Sequence, residues 1–172
     1  MPPIHPMEQF LNLSAVLTGF NKVELQEAGV GREYLNLLVE MAGDTLCFEL
    51  WAETQAIYAK HAGHPARLER EVNQRILKNP KYAALARNII LVWYNAIWYQ
   101  LPPDWTAPRG ANALDQDQVV SAKAYPEALI WRAIGAHPPG AKPQGFAAWA
   151  MRPDGAEAPA PSARPKARGG KA

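Results

Sequence analysis

The stretch NPKYAALARNIILVWYNAIWYQ, residues 79–100, decides how this chain is read. Leu85, Ile89, Trp93 and Ala96 recur at the helical period and form one stripe. Ile90, Tyr94 and Ile97 form a second stripe beside it, and Trp98 falls on the other side. Asn79 suits the N-cap and Pro80 the first helical position, where a missing N–H costs nothing. The prolines at 102 and 103 end the run. A helix that is apolar nearly all round must be covered on several sides, so the rest of the chain is expected to wrap it.

The segments before it supply the cover. In MEQFLNLSAVLTG, Phe10, Leu13, Ser14 and Leu17 share a face, with Gly19 placed for the C-cap. EYLNLLVEMAGD aligns Tyr34, Leu37, Leu38 and Met41 and stops at Gly43. Asp44 can cap TLCFELWAETQAIYAKH, in which Leu46, Leu50 and Ile57 line up, and Lys60 and His61 suit its negative end. PARLEREVNQRILKN carries Leu68, Val72 and Ile76 on a narrow apolar stripe, the pattern of a peripheral amphipathic helix. Residues 104–118 read as an irregular connection, followed by a short helix through AYPEALIWRAI with Pro126 in its first turn. The prolines and glycines of GAHPPGAKPQGFAAWAMRP forbid regular structure there. No segment alternates as a strand does.

The expected fold is therefore all-α: a single small helical domain of about five helices, with an irregular aromatic C-terminal arm and a disordered tail. The boundaries are an N-terminal extension at 1–7, the helical domain at 8–153 and an Ala/Pro/Lys/Arg-rich tail at 154–172, which has little to bury. Structural core is assigned to Phe10, Leu13, Leu17, Leu85, Ile89 and Trp93.

Charge and motifs exclude several function classes. Of the 18 basic and 16 acidic side chains, 14 of each lie in residues 1–152, so the surplus belongs to the tail. A neutral body lacks the basic face that nucleic-acid binding requires. No apolar run approaches the roughly 18 residues of a membrane span. The opening MPPIHPMEQF has neither a basic nor an apolar signal region, so no signal peptide is expected in it. The single Cys47 excludes an internal disulfide, and its apolar neighbours suit a packed thiol.

Catalytic motifs fail at specific residues. GVGREY (29–34) has Tyr34 at the last small position of a dinucleotide fingerprint, with no strand ahead of it. GAHPPGAK (135–142) has the outer glycines of a phosphate loop, but Pro143 stands where Ser or Thr is needed. Neither a nucleophile elbow nor a His-Glu-x-x-His motif occurs. His61 and His64 could bring two imidazoles together at a helix end, but a third ligand is missing. Glu49 and Glu53 share a helix face and find no acid/base partner. The chain is expected not to be an enzyme and to hold no metal or cofactor of its own.

Four blocks in order carry a resemblance. FLNLSAVLTGFNKVEL (10–25), IILVWYNAI (89–97), AYPEALIW (124–131) and KPQGFAAWAMRP (142–153) resemble the small subunit of membrane-associated flavin-dependent sugar and polyol dehydrogenases. That family includes the glucose, fructose, sorbitol and gluconate dehydrogenase complexes. The match departs at Pro126, where the family has an acid, and at Trp149, which two alanines separate from Phe146.

The resemblance implies a non-catalytic accessory subunit. Its partner would be a large glucose–methanol–choline type flavoprotein that holds FAD and the sugar chemistry. The small chain would support that partner's maturation, stability and export. A cytochrome c subunit is a further partner that the resemblance allows. It also implies the periplasm, with the cytoplasm as the alternative because no export signal is visible.

Aromatic anchors suit such a role. Trp98, Tyr99 and Trp105 follow the opposite side and the end of the long helix. Tyr125 and Trp131 lie in the short helix, and Phe146 and Trp149 in the irregular arm. These seven are assigned to partner binding. The alternative is a stand-alone helical module that lodges an apolar small molecule among the aromatics; an enclosed apolar cavity would favour it.

Overall fold

The computed structural model describes residues 3–110 and 112–138. The architecture is all-α, with one two-residue pair of strands. The helices are α1 (Pro6–Thr18), α2 (Lys22–Glu27), α3 (Gly31–Ala42), α4 (Asp44–His61), α5 (Pro65–Val72) and α6 (Ala83–Asn95), with a π-helical turn at Asn73–Leu77 continuing α5. Beyond α6 come β1 (Ile97–Trp98), α7 (Pro103–Thr106), β2 (Gln118–Val119), α8 (Ala124–Glu127) and α9 (Leu129–Ala133).

Sequence signals explain most of the boundaries. Pro6 opens α1, and Gly19 closes it in the left-handed region at φ 78°. Asn21 and Glu24 form a reciprocal capping box that starts α2, a helix the hydrophobic pattern leaves unmarked. Gly43, at φ 82°, separates α3 from α4, so the cap of α4 is Gly43 and Asp44 is its first helical residue.

The core lies where α1 and α3 meet α4 and α6. Phe10 stacks on Trp93 with ring centres 6.0 Å apart, and Trp51 meets Phe10 edge-on at the same spacing. Tyr34 meets Trp93 edge-on at 4.9 Å. Such geometries match the ring quadrupoles as well as filling volume. The Trp93 indole N–H donates to Ser14 Oγ at 2.9 Å, so the one polar atom of the ring is satisfied. Gly31 opens α3 beneath these rings. A Cβ there would stand 3.1 Å from the Met7 Cε and 3.6 Å from the Trp93 ring. Phe10, Leu13, Leu85, Ile89 and Trp93 are buried as expected, while Leu17 is half-buried against the rim of the core.

The long aromatic helix is shorter than its periodicity predicts. Residues 79–82 form a turn capped by the Asn79 side chain, and α6 begins at Ala83 rather than Pro80. It ends at Ala96, which takes a left-handed φ of 57°. For alanine that conformation costs about 1–2 kcal/mol, so later contacts must hold it. They are visible directly downstream. β1 pairs antiparallel with β2 (Ile97 opposite Val119, Trp98 opposite Gln118), and the Val120 N–H donates to the Ala96 carbonyl. The short helix expected through AYPEALIWRAI is broken in two at Ala128, whose ψ of 130° is extended.

Trp98 corrects the sequence reading. It is 1% exposed, so it belongs to the core and not to a docking surface. The alternation of a strand, rather than the rotation of a helix, sets its direction: Ile97 lies on the side of Val119, and Trp98 turns inward. Among the described residues no helix is long and apolar enough to cross a membrane. The arm residues Phe146 and Trp149, and the whole tail at 154–172, lie outside the described residues.

Candidate docking groove

From Tyr99 the chain runs back along α6 toward its start. The Asn88 side chain makes both hydrogen bonds to the Tyr99 backbone, accepting its N–H at 3.1 Å and donating to its carbonyl at 2.9 Å. Buried Asp115 is the second anchor. Its Oδ1 accepts the Trp98 indole N–H at 2.8 Å, and its carboxylate also takes the Leu101 N–H. One carboxylate thus ties the 98–101 segment to the loop before β2.

Trp105 sits on α7 at the end of this return. Its indole N–H donates to the Lys81 carbonyl at 3.2 Å, just ahead of α6. The Arg109 guanidinium lies 4.1 Å from the centre of the Trp105 ring. Lys81 reaches the other way, to Glu49 at 2.8 Å on α4, and that carboxylate holds its ammonium above the usual lysine range. Further along, the Asn112 amide donates to the Glu40 carbonyl at 2.8 Å and docks the loop on the end of α3.

Between these contacts an open groove of about 400 Å³ remains. One wall is residues 40–43, where α3 turns into α4; the other carries Trp105, Arg109, Asn112 and Asp115. The groove mixes the Met41 and Trp105 side chains with charged and amide groups.

Of the residues assigned to partner binding, those described are held by different contacts. Tyr99 and Trp105 are half-buried along α6. Tyr125 and Trp131 form a separate pair, edge-to-face at 5.4 Å, with the Trp131 indole N–H donating to the Tyr125 carbonyl. Every described tryptophan after α6 has its N–H bound inside the chain, so each ring is held in place before any partner arrives.

Other candidate chemistry is accounted for locally. Glu49 pairs with Lys81, and Glu53 pairs with Arg75 at 2.6 Å, so each carboxylate has a cation of its own. His61 and His64 flank a tight turn in which the His64 N–H donates to the His61 carbonyl. Among the described residues no three His, Cys, Asp or Glu side chains gather as a metal site. Cys47 is buried on α4, and burial pushes its thiol pKa up to about 12. Burial also pushes the Tyr58 phenol up to about 12, while its hydroxyl donates to the Asn12 carbonyl.

Sequence reasoning missed Asp115, Asn88 and Arg109. Arg109 follows Trp105 at helical spacing, a signal that was available. The other two act on partners 11 to 17 positions away, which no local pattern marks. Compared with models of protein families, with curated proteins and with solved structures, the chain matches none.

Proposed function

We propose that the protein is a non-catalytic accessory subunit that binds a large flavin-dependent sugar or alcohol dehydrogenase and supports its maturation and stability. The flavin would be FAD and would sit in the partner. The four-block resemblance supplies the partner class.

The Trp105–Arg109 pair on the groove rim is the observation that supports a binding role. Trp and Arg are the residue types that dominate interface energetics. Here the ring is pinned by its N–H and the guanidinium is laid over it, so little side-chain freedom remains to be lost on association. An apolar small-molecule ligand gains less support, because charged and amide groups share the lining of the groove.

The test is co-expression with a glucose–methanol–choline type flavoprotein from the same genome, followed by affinity capture and flavin absorbance of the eluate. A stable flavin-containing complex is expected, with the large chain insoluble or inactive alone. Trp105→Ala should reduce its recovery at least about tenfold, as expected of a central anchor. Two chains that purify apart, with the large one fully active, would contradict the proposal.

A further inference from the structure

Among the described residues no acidic side chain lies within ion-pairing distance of Arg109. Its contacts among them are the face of the Trp105 ring and the Trp105 carbonyl, which accepts a hydrogen bond from one terminal nitrogen. The acids along the groove are otherwise placed. Asp115 is committed to the Trp98 and Leu101 N–H groups, and Glu40 is on the opposite wall. Lys81, nearby, has its charge taken up by Glu49 at 2.8 Å.

A guanidinium set in a plane, with most of its N–H groups unused among the described residues, matches a carboxylate through two parallel hydrogen bonds. The groove beside it is open and large enough for a few side chains, with the half-exposed Trp105 ring offering apolar contact. We propose that it receives an extended segment of the partner protein, in which one aspartate or glutamate side chain pairs with Arg109 and an adjacent apolar side chain rests on Trp105. The Glu40 charge disfavours a second acid in the same segment, so the motif recognised is a single acid flanked by apolar residues.

This inference rests on the accessory-subunit reading and adds the chemistry of the partner. Its test compares capture of the flavoprotein by wild type, Arg109→Gln and Arg109→Lys. Arg109 is exposed, and an unchanged Trp93 indole resonance would verify that each variant is folded. Arg109→Gln should weaken the complex at least about tenfold, and Arg109→Lys should restore part of it, since a lysine keeps the charge but loses the fork. A wild-type complex matched in strength by Arg109→Gln would overturn the inference and leave the accessory role standing. If the wild-type chain does not capture the flavoprotein, the accessory role falls and this inference with it. Sodium acetate alone gives the last check. A saturable shift of the Trp105 indole resonance at millimolar acetate would mark a small-acid site and overturn the proposed segment; no such shift is expected.

Discussion

Trp93 and Trp98 are near neighbours in sequence and equally buried, yet they are held by different physics. Trp93 lies in a helical core, where Phe10 and Tyr34 cover its faces and edges and Ser14 takes its N–H. Trp98 lies in a wrapped segment that is barely regular, and its N–H goes to the carboxylate of Asp115. The helical region is stabilised mainly by apolar volume. The wrap depends on a few polar side chains, each tying distant stretches of backbone together.

The difference should be measurable by substitution. The largest effect belongs to the core. Trp93→Ala removes the ring against which Phe10, Tyr34 and Gly31 pack, and is expected to cost about 3–5 kcal/mol of unfolding free energy. Urea denaturation followed by far-UV circular dichroism would read it. A cost below about 1 kcal/mol would mean that this core is loosely packed.

Asp115→Ala comes next. It strands the Trp98 indole N–H and the Leu101 N–H in buried positions, at a cost of about 2–3 kcal/mol. The loss should fall on the wrap first, with the Trp98 fluorescence changing before the helical signal does. Simultaneous loss of both signals would show that wrap and core unfold as one unit.

Alkaline pH sharpens the comparison through Cys47 and Tyr58. The Cys47 thiol is raised from 9.0 to about 12, and the Tyr58 phenol from 10.0 to about 12. Both are neutral acids in the folded chain, and they ionise more readily when unfolded. Stability from this source is therefore full below about pH 9 and is lost as pH climbs toward 12. The urea midpoint should be level up to about pH 9 and fall above it, and Cys47→Ala should make the fall shallower. An unchanged slope in that variant would remove the thiol from the account.

The smallest stability effect is expected for Trp105→Ala, about 1 kcal/mol or less by thermal melting, because this ring is half-exposed and lies outside the core. Its large effect is reserved for partner capture. That split, weak on stability and strong on binding, separates the rim of the groove from both buried tryptophans.

The same division explains what the sequence could tell. Periodicity found α1, α3, α4 and the body of α6, and Gly19 and Gly43 marked real ends, because apolar stripes and caps are local features. The capping box at Asn21 and Glu24, which sets α2, went unread although its Asn-x-x-Glu spacing is a local signal. Periodicity failed from Ala96 onward, where α6 stops although the apolar pattern continues. The stop depends on Val120, Asn88 and Asp115, whose partners are remote in sequence. Trp98 was misplaced for that reason: on a continued helix it would face out, whereas on a strand it faces in. Trp105, which the sequence reading assigned to partner binding, is half-exposed, but the groove beside it depends on α3 and on Asn112, which local spacing does not join to it.

Amide hydrogen exchange of this chain, free and bound to the flavoprotein, tests the central claim most directly. The account predicts that binding slows exchange at residues 40–43 and 103–115 and leaves 83–95 as it was. Unchanged exchange across 103–115, with protection elsewhere or nowhere, would contradict it.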